Sequence, residues 1–319
     1  MSEPNELRNK KIPMNNGRGI PALGFGTLIP DPGDTLRATR SALEAGFRQF
    51  DCSERYRNEE AVGEAIQGVL REGKVRRDDL FIATKLWNNN HRPERVKPAF
   101  EASLRRLRLE YVDLYLMHTP FAFRPGDDQD PRDENGKTIY DDGVALSETW
   151  GAMERLVDEG KCRAIGLSDV DLAHVTEISG SARIRPAVVH VEAHPYLPQW
   201  ELLEACTEAG IVFQAFAVLG HSFEPKLLED DVIKKVAAAV GRTAAQVCIA
   251  WAVQRGTAIL TTSTNADHIR ESLDVSPLPE NAMEAIKGIT TRYRFNKVVE
   301  TGLPGFIPRE AERKGAAAK

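Results

Sequence analysis

Cysteine is scarce in this sequence, and the few cysteines present are far apart. Four occur in 319 residues, at Cys52, Cys162, Cys206 and Cys248, and no two form a CxxC pair. Such spacing excludes the dense disulfide framework of small secreted domains and the paired ligands of common zinc modules. It predicts reduced thiols in a cytoplasmic protein.

The sequence also lacks long apolar runs and any large excess of charge of one sign. No run approaches the roughly 18 apolar residues that a membrane span requires. The N-terminus, Met-Ser-Glu-Pro-Asn-Glu, lacks the basic-then-apolar order of a secretory signal, so none is expected. Lys and Arg number 42 against 47 Asp and Glu, a net charge of −5. This mild balance argues against nucleic acid or a membrane surface as a partner.

The glycine motifs that bind nucleotide phosphates are incomplete. Gly24-Phe25-Gly26-Thr27 begins like a dinucleotide fingerprint, but the third glycine of GxGxxG is missing. No GxxxxGK[ST] loop is present either. Any nucleotide must therefore bind at a site unlike that of the Rossmann fold.

What the sequence does contain is a regular alternation of strand-like and helix-like segments. One face of the amphipathic stretch 93–109 carries Val96, Phe100, Leu104 and Leu107. Segments 58–70, 147–158 and 230–254 have the same helical pattern. Short apolar runs predict eight strands, near 22–26, 47–51, 81–85, 112–117, 162–168, 187–192, 211–216 and 257–261.

Eight βα units in about 250 residues predict a (β/α)8 TIM barrel. A doubly wound sheet is the competing interpretation, although no switch point or second domain is evident. Asn-Asn-Gly-Arg-Gly suits an N-terminal hairpin that caps one end of the barrel, and the polar stretch 125–143 predicts a long loop at the C-terminal face. We predict one domain over 1–319, with its core at about 11–295 and a C-terminal loop and tail over 296–319.

Four polar residues lie at or just beyond the carboxyl ends of predicted strands. Asp51, Lys85 and His118 each come directly after an apolar or β-branched run, and Tyr56 lies five residues beyond Asp51. Taken singly, these residues could be a rim salt bridge, a packed tyrosine and a strand-end histidine. Together, at one end of a barrel, they predict a device that delivers a proton.

A histidine-rich strand, His190-Val-Glu192-Ala-His194, offers a second candidate site. Period-2 spacing places the three polar side chains on one strand face. The zinc-protease motif HExxH lies on a helix instead, and no further ligand is obvious. We therefore expect no metal, and favour polar groups that face a cofactor.

Several motifs resemble those of the aldo-keto reductases, and together they cover about residue 11 to the 290s. Residues 83–87 (ATKLW) carry the lysine of this family's catalytic site. The other matching segments are 46–63 (GFRQFDCSERYRNEEAVG), 104–120 (LRRLRLEYVDLYLMHTP), 148–168 (ETWGAMERLVDEGKCRAIGLS) and 191–197 (VEAHPYL).

The resemblance implies a monomeric barrel that binds NADP or NAD across its C-terminal face and reduces aldehydes or ketones to alcohols. Tyr56 would be the proton donor and His118 would hold the carbonyl oxygen. Lys85 would lower the tyrosine pKa from about 10, and Asp51 would keep Lys85 charged. The implied cofactor contacts are Gly26, Thr27, Asp51, Ser168, Asp169, His190, Phe216, Leu219, Gly220, Thr262, Ser263, Thr264, Asn265, His268, Arg270 and Glu271.

Departures from the family pattern concern the cofactor. Asp169 replaces the usual asparagine, and as a carboxylate it would accept but not donate a hydrogen bond. The lysine and arginine that usually grip the 2′-phosphate of NADP are replaced by Thr262 and His268, with Asp267 nearby and Arg270 the remaining strong cation in reach. We therefore expect weak discrimination between NADP and NAD.

The implied substrate pocket differs as well. Leu28 and Thr119 stand where many members have tryptophan, while Trp87 and Phe123 keep aromatic walls; with His118 these residues form the expected substrate site. We expect a wide pocket for a small-molecule carbonyl compound. Two other functions stay open: a non-catalytic, cofactor-sensing regulatory subunit, and a barrel hydrolase that uses Asp51 and His118.

Overall fold

The computed structural model describes residues 7–221 and 224–296. The strands in these residues are β1 (Lys11–Pro13), β2 (Gly19–Pro21), β3 (Leu23–Gly26), β4 (Gln49–Asp51), β5 (Phe81–Leu86), β6 (Leu114–Met117), β7 (Ile165–Ser168), β8 (Val188–Glu192), β9 (Val212–Phe216) and β10 (Ala258–Thr261). The helices are α1 (Pro32–Ala45), α2 (Glu59–Arg71), α3 (Pro93–Leu107), α4 (Leu146–Asp158), α5 (Leu172–Ser181), α6 (Trp200–Glu208), α7 (Asp231–Val240), α8 (Ala244–Gln254), α9 (Ala266–Glu271) and α10 (Glu280–Lys287).

Strands β3 to β10 form a closed parallel barrel, in which β10 pairs with both β3 and β9. Closure confirms the (β/α)8 prediction and excludes the doubly wound sheet. Each of the eight predicted strands is present; seven begin one to three residues later than predicted, and β5 extends one residue further. The prediction of one domain over 1–319 stays a prediction, because the tail beyond Asn296 lies outside the described residues.

The predicted hairpin caps the N-terminal end of the barrel. Strands β1 and β2 pair in antiparallel fashion, and the turn between them uses Gly17, whose φ is +79°. The hairpin residues Met14 and Ile20 are buried against side chains that begin the barrel strands, among them Leu114 and Val212. The opposite, C-terminal end is thus the open one.

Most of the predicted helices are confirmed, but the segment 230–254 is two helices and not one. Helix α7 ends at Val240, and Gly241, which caps it, has a left-handed φ of +65°. Thr243 then accepts a hydrogen bond from the Gln246 N–H, and the Gln246 side chain accepts from the Thr243 N–H, so that a new helix begins. The two helices lie 91° apart. Periodicity alone does not reveal such a break.

In the described parts of the chain, no single helix has the length and apolar character needed to cross a membrane. One bent pair, α7 with α8, meets that test jointly, by length and composition only.

Candidate active site

A cavity of about 670 Å³ opens where the carboxyl ends of the barrel strands converge. Its size is within the usual range for small-molecule sites. The predicted site residues that line it are Gly26, Leu28, Asp51, Tyr56, Lys85, Trp87, His118, Ser168, Asp169, His190, Phe216, Leu219, Gly220 and Thr262.

Lys85 is the centre of a buried hydrogen-bonded cluster in this cavity. Its Nζ donates to Asp51 Oδ2 at 2.5 Å, to the Cys52 carbonyl at 2.9 Å and to the Tyr56 hydroxyl at 3.0 Å. All three ammonium protons therefore have an acceptor. Burial alone would lower the pKa of Lys85, but Asp51 and Tyr56 outweigh it and raise this pKa above its usual value. Lys85 is thus a permanent cation beside the phenol.

Lys85 lowers the pKa of Tyr56 as expected, but the predicted net lowering is wrong, because burial has the larger effect. Burial raises the pKa of Tyr56 to about 12, and the attraction of Lys85 offsets this only in part. The physical reason is that a buried phenolate loses its hydration. Tyr56 is consequently a neutral, protonated donor near pH 7, and Lys85 stabilises the anion that forms when the proton leaves.

His118 is held between a hydroxyl and two rings. Its Nδ1 lies 3.0 Å from Ser53 Oγ, and its ring meets those of Trp87 and Tyr56 edge to face, at 4.9 and 5.8 Å between centroids. Burial and the charge of Lys85 hold the pKa of His118 well below its usual value, so the imidazole is neutral. Ser53 Oγ already accepts from the Arg55 N–H. We infer that it donates to Nδ1, which leaves the ring proton on Nε2 as a donor.

On the other side of the cavity, His190 and Asp169 offer polar groups suited to a carboxamide. Both ring nitrogens of His190 are buried without a hydrogen-bond partner among the described residues, and burial lowers the pKa of His190 to about 4. The neutral ring thus has one donor and one acceptor to offer. Its edge contacts Phe216 at 5.1 Å between ring centroids. This pairing fits a nicotinamide.

Asp169 differs from the carboxylate that was expected. Burial raises its pKa to about 7, although Arg294 acts in the opposite direction. Near neutrality a substantial share of Asp169 is therefore protonated and can donate a hydrogen bond as well as accept one. The expectation that Asp169 only accepts applies to its ionised form, and the cost of burying the charge favours the protonated form.

The segment that follows α10 completes the cavity, and the sequence did not indicate it. Tyr293, Phe295 and Asn296 line the cavity. The buried carboxylate of Glu192 accepts from the N–H groups of Phe295 at 2.6 Å and Asn296 at 2.9 Å, and it contacts His194 Nε2 at 2.9 Å. Glu192 and His194 thus fasten this segment across the barrel end. About a hundred residues separate the partners, so no local pattern could reveal them.

Arg55 also lines the cavity and was missed, although its place one residue before Tyr56 was a usable signal. Two predicted wall residues require correction, because they lie behind the surface of the cavity. Thr119 turns its hydroxyl to Asn88 Oδ1 at 2.9 Å, and Phe123 packs behind Trp87 at 6.1 Å. Thr27 is likewise buried, with its hydroxyl on the Asp51 carbonyl at 2.8 Å.

The loop after β10 and the short helix α9 lie outside the cavity. Thr262 reaches its rim, where its hydroxyl donates to the Gly26 carbonyl at 3.0 Å. Arg270 forms an ion pair with Asp267. The remaining predicted cofactor contacts here do not line the cavity: Ser263, Thr264, Asn265, His268 and Glu271.

Comparison with known proteins gives a consistent result. A model of the aldo/keto reductase family matches residues 22–291. The chain is 40% identical over 304 residues to prostaglandin F synthase 1 of Bos taurus, covering 90% of this chain and 94% of that protein. It is 40% identical over 299 residues to human aldo-keto reductase family 1 member C1, with 89% and 92% covered. The solved aldose reductase of Schistosoma japonicum superposes with a TM-score of 0.89 at 35% identity, covering 94% of this chain and 99% of that one.

Proposed function

Because the chain belongs to the aldo/keto reductase family and is an NAD(P)-dependent carbonyl reductase, we propose that Tyr56 protonates the substrate in this cavity. The nicotinamide cofactor supplies the hydride when bound. Charge then develops on the carbonyl oxygen, and the Tyr56 hydroxyl donates its proton there. Lys85 stabilises the resulting tyrosinate, and Asp51 keeps Lys85 in place.

In this mechanism His118 positions the substrate. Its Nε2–H donates to the carbonyl oxygen and holds it within reach of Tyr56, and the neutral ring does not compete with the phenol as an acid. The single observation that supports the proposal best is the Lys85 ammonium, which hydrogen-bonds to Asp51 and Tyr56 simultaneously.

The direct test is a rapid-mixing measurement of reduced-nicotinamide absorbance with a reactive aldehyde. A decay that requires both cofactor and aldehyde supports the proposal. Absence of any decay, despite fluorescence-detected cofactor binding, would favour the non-catalytic, cofactor-sensing alternative. Turnover of an ester without nicotinamide would favour the hydrolase.

For the cofactor we propose that Ser168, Asp169 and His190 bind the carboxamide and that Phe216 stacks on the ring. The predicted phosphate contacts, Leu219 and Gly220, line the same cavity. We further propose a monomer that acts on a small-molecule carbonyl compound in the cytoplasm. All four cysteines are free thiols, which supports a reducing compartment. Light scattering after size exclusion tests the monomer.

We expect weak discrimination between NADPH and NADH. A 2′-phosphate requires cationic partners, but Arg270 is engaged by Asp267 and Thr262 offers only a hydroxyl. Each missing charged hydrogen bond weakens the binding free energy of the 2′-phosphate by roughly 1.5–3 kcal/mol. Fluorescence titration should therefore show comparable affinities, and Thr262→Lys with His268→Arg should raise NADPH affinity selectively.

The matched control for this double variant is Thr262→Met with His268→Gln, which adds similar bulk without charge and should leave the NADPH-to-NADH ratio unchanged. A wild-type preference for NADPH above about a hundredfold would contradict the prediction. Arg270→Gln would then show whether Arg270 leaves Asp267 to bind the phosphate.

Leu28 sets the width of the substrate entrance in our proposal. Its side chain lines the cavity and is 60% exposed. Leu28→Trp should lower kcat/KM for bulky or polyhydroxylated aldehydes and leave small aldehydes nearly unaffected, because the added ring fills open space. The control is Leu28→Met, which conserves volume. An unchanged substrate profile in Leu28→Trp would show that residue 28 does not contact the substrate.

A further inference from the structure

Arg55 presents an incompletely satisfied guanidinium at the substrate end of the cavity. Its Nη2 donates to Asp130 Oδ2 at 2.8 Å, and the group stands over the Trp87 ring at 5.2 Å. Its Nε is buried and has no hydrogen-bond partner among the described residues. Buried N–H groups are nearly always paired in folded proteins. The Arg55 side chain as a whole is 25% exposed and lines the cavity, so a ligand can supply an acceptor to this incompletely satisfied guanidinium.

The carboxylate that pairs with Arg55 is shared with a second cation. Asp130 is shared by two guanidinium groups, since Arg57 also lies 3.7 Å from its Oδ2. One carboxylate thus faces two cations. Elsewhere in this part of the cavity the charge of Lys85 is matched by Asp51.

Two other acids of the loop that carries Asp130 form their contacts elsewhere. Asp127 is fully exposed to solvent and lies 4.0 Å from Arg95. Asp128 accepts the backbone N–H of Asp130 at 3.0 Å, within its own loop. Solvent screens exposed charges of this kind far more than the partly buried guanidinium of Arg55.

We propose that Arg55 binds a carboxylate on the substrate, so that the enzyme selects aldehydes or ketones that carry a carboxylate group. This inference rests on the proposed reductase function. Arginine suits the task because its planar fork matches a carboxylate and can donate to both of its oxygens. Its neighbour in sequence, Tyr56, faces the carbonyl end of the same molecule. A carboxylate brings one negative charge to this single partly exposed guanidinium, whereas a phosphate brings nearly two.

The test compares aldehydes that differ only in charge. The carboxylate probe is 4-carboxybenzaldehyde, and its neutral counterpart of the same shape is 4-carbamoylbenzaldehyde. A hydrogen bond between charged groups changes affinity by roughly ten- to a hundredfold. Wild-type kcat/KM should favour the carboxylate by about this factor, mainly through a lower KM. A third probe, 4-formylphenyl phosphate, should be used less well than the carboxylate.

Three variants separate substrate binding from a merely structural role. Arg55→Gln should lower kcat/KM for the carboxylate about ten- to a hundredfold more than for the amide, and Arg55→Lys should restore part of the difference. Asp130→Asn frees Arg55 and should increase the preference for the carboxylate. The matched control is Arg57→Gln, which removes the exposed cation on the same Asp130 and should change the ratio by less than about threefold.

Other results would overturn the proposal. If Arg55 only fastened the loop through Asp130, Arg55→Gln and Asp130→Asn would both lower activity on the two aldehydes equally. Preference for the phosphate probe would overturn the carboxylate assignment. If the wild-type enzyme reduced the amide as well as the carboxylate, the proposed role of Arg55 would be refuted and the reductase mechanism would stand. Turnover of neither aldehyde, with either nicotinamide, would instead refute the reductase mechanism.

Discussion

Replacing Tyr56 by phenylalanine is expected to lower kcat for carbonyl reduction by about 10²–10⁴-fold, the usual contribution of one positioned proton donor. The change removes only the hydroxyl that lies 3.0 Å from Lys85 Nζ, so the ring and the cavity shape are retained. Cofactor affinity, measured by fluorescence titration, should hardly change. Steady-state kinetics with a saturating aldehyde checks the expected loss.

The matched control is Tyr115→Phe. Tyr115 is fully buried in the barrel wall, and its hydroxyl has no hydrogen-bond partner among the described residues. Loss of that hydroxyl should leave kcat close to the wild-type value. If Tyr56→Phe also kept near-wild-type turnover, another group would have to deliver the proton and the proposed mechanism would be incorrect.

Lys85→Met is expected to abolish measurable reduction through kcat, with a much smaller effect on substrate KM. Lys85 opposes the effect of burial on the pKa of Tyr56, so its removal leaves the tyrosinate without a counter-charge in a buried site. In alcohol oxidation the tyrosinate must accept the proton. The wild-type rate of alcohol oxidation should therefore rise with pH toward the Tyr56 pKa of about 12. Any residual oxidation by the variant should rise only at still higher pH.

Two controls accompany the lysine variant, because it leaves the buried Asp51 carboxylate without its cation. Lys85→Met with Asp51→Asn removes both charges and tests whether folding, followed by circular dichroism, accounts for lost activity. Lys161→Met breaks a partly exposed ion pair with Glu101 and should retain activity. A pure KM increase in Lys85→Met would identify Lys85 as a substrate anchor, contrary to the role proposed here.

The barrel and the four polar residues were predictable because their signals are local. A strand buried on both faces is a short apolar run, and a polar residue directly after it lies at the carboxyl end of that strand. Closure of the barrel then brings Asp51, Lys85 and His118 to one cavity. The resemblance of the segments around them to one family indicated the same chemistry, and the match over residues 22–291 confirms the family.

Predictions failed where the outcome depends on contacts between distant segments or on burial. The break at Gly241 is an exception, because its signal is local: a glycine followed by the capping pair of Thr243 and Gln246, which was overlooked in favour of the apolar periodicity. Thr119 and Phe123 do not line the cavity: the Thr119 hydroxyl donates to Asn88, and the Phe123 ring packs against Trp87. None of these choices leaves a periodic trace in the sequence.

The sequence by itself therefore determined the (β/α)8 architecture and the residues at the strand ends, since both depend on short-range patterning, and its resemblance to one family indicated the reaction class. Only the tertiary structure decided the protonation state of the site. Burial raises the pKa of Tyr56 to about 12 and that of Asp169 to about 7, and burial is a property of the assembled barrel. The tertiary structure also decided that Glu192 binds the backbone of Phe295, because a contact between residues so far apart in sequence exists only once the barrel has closed.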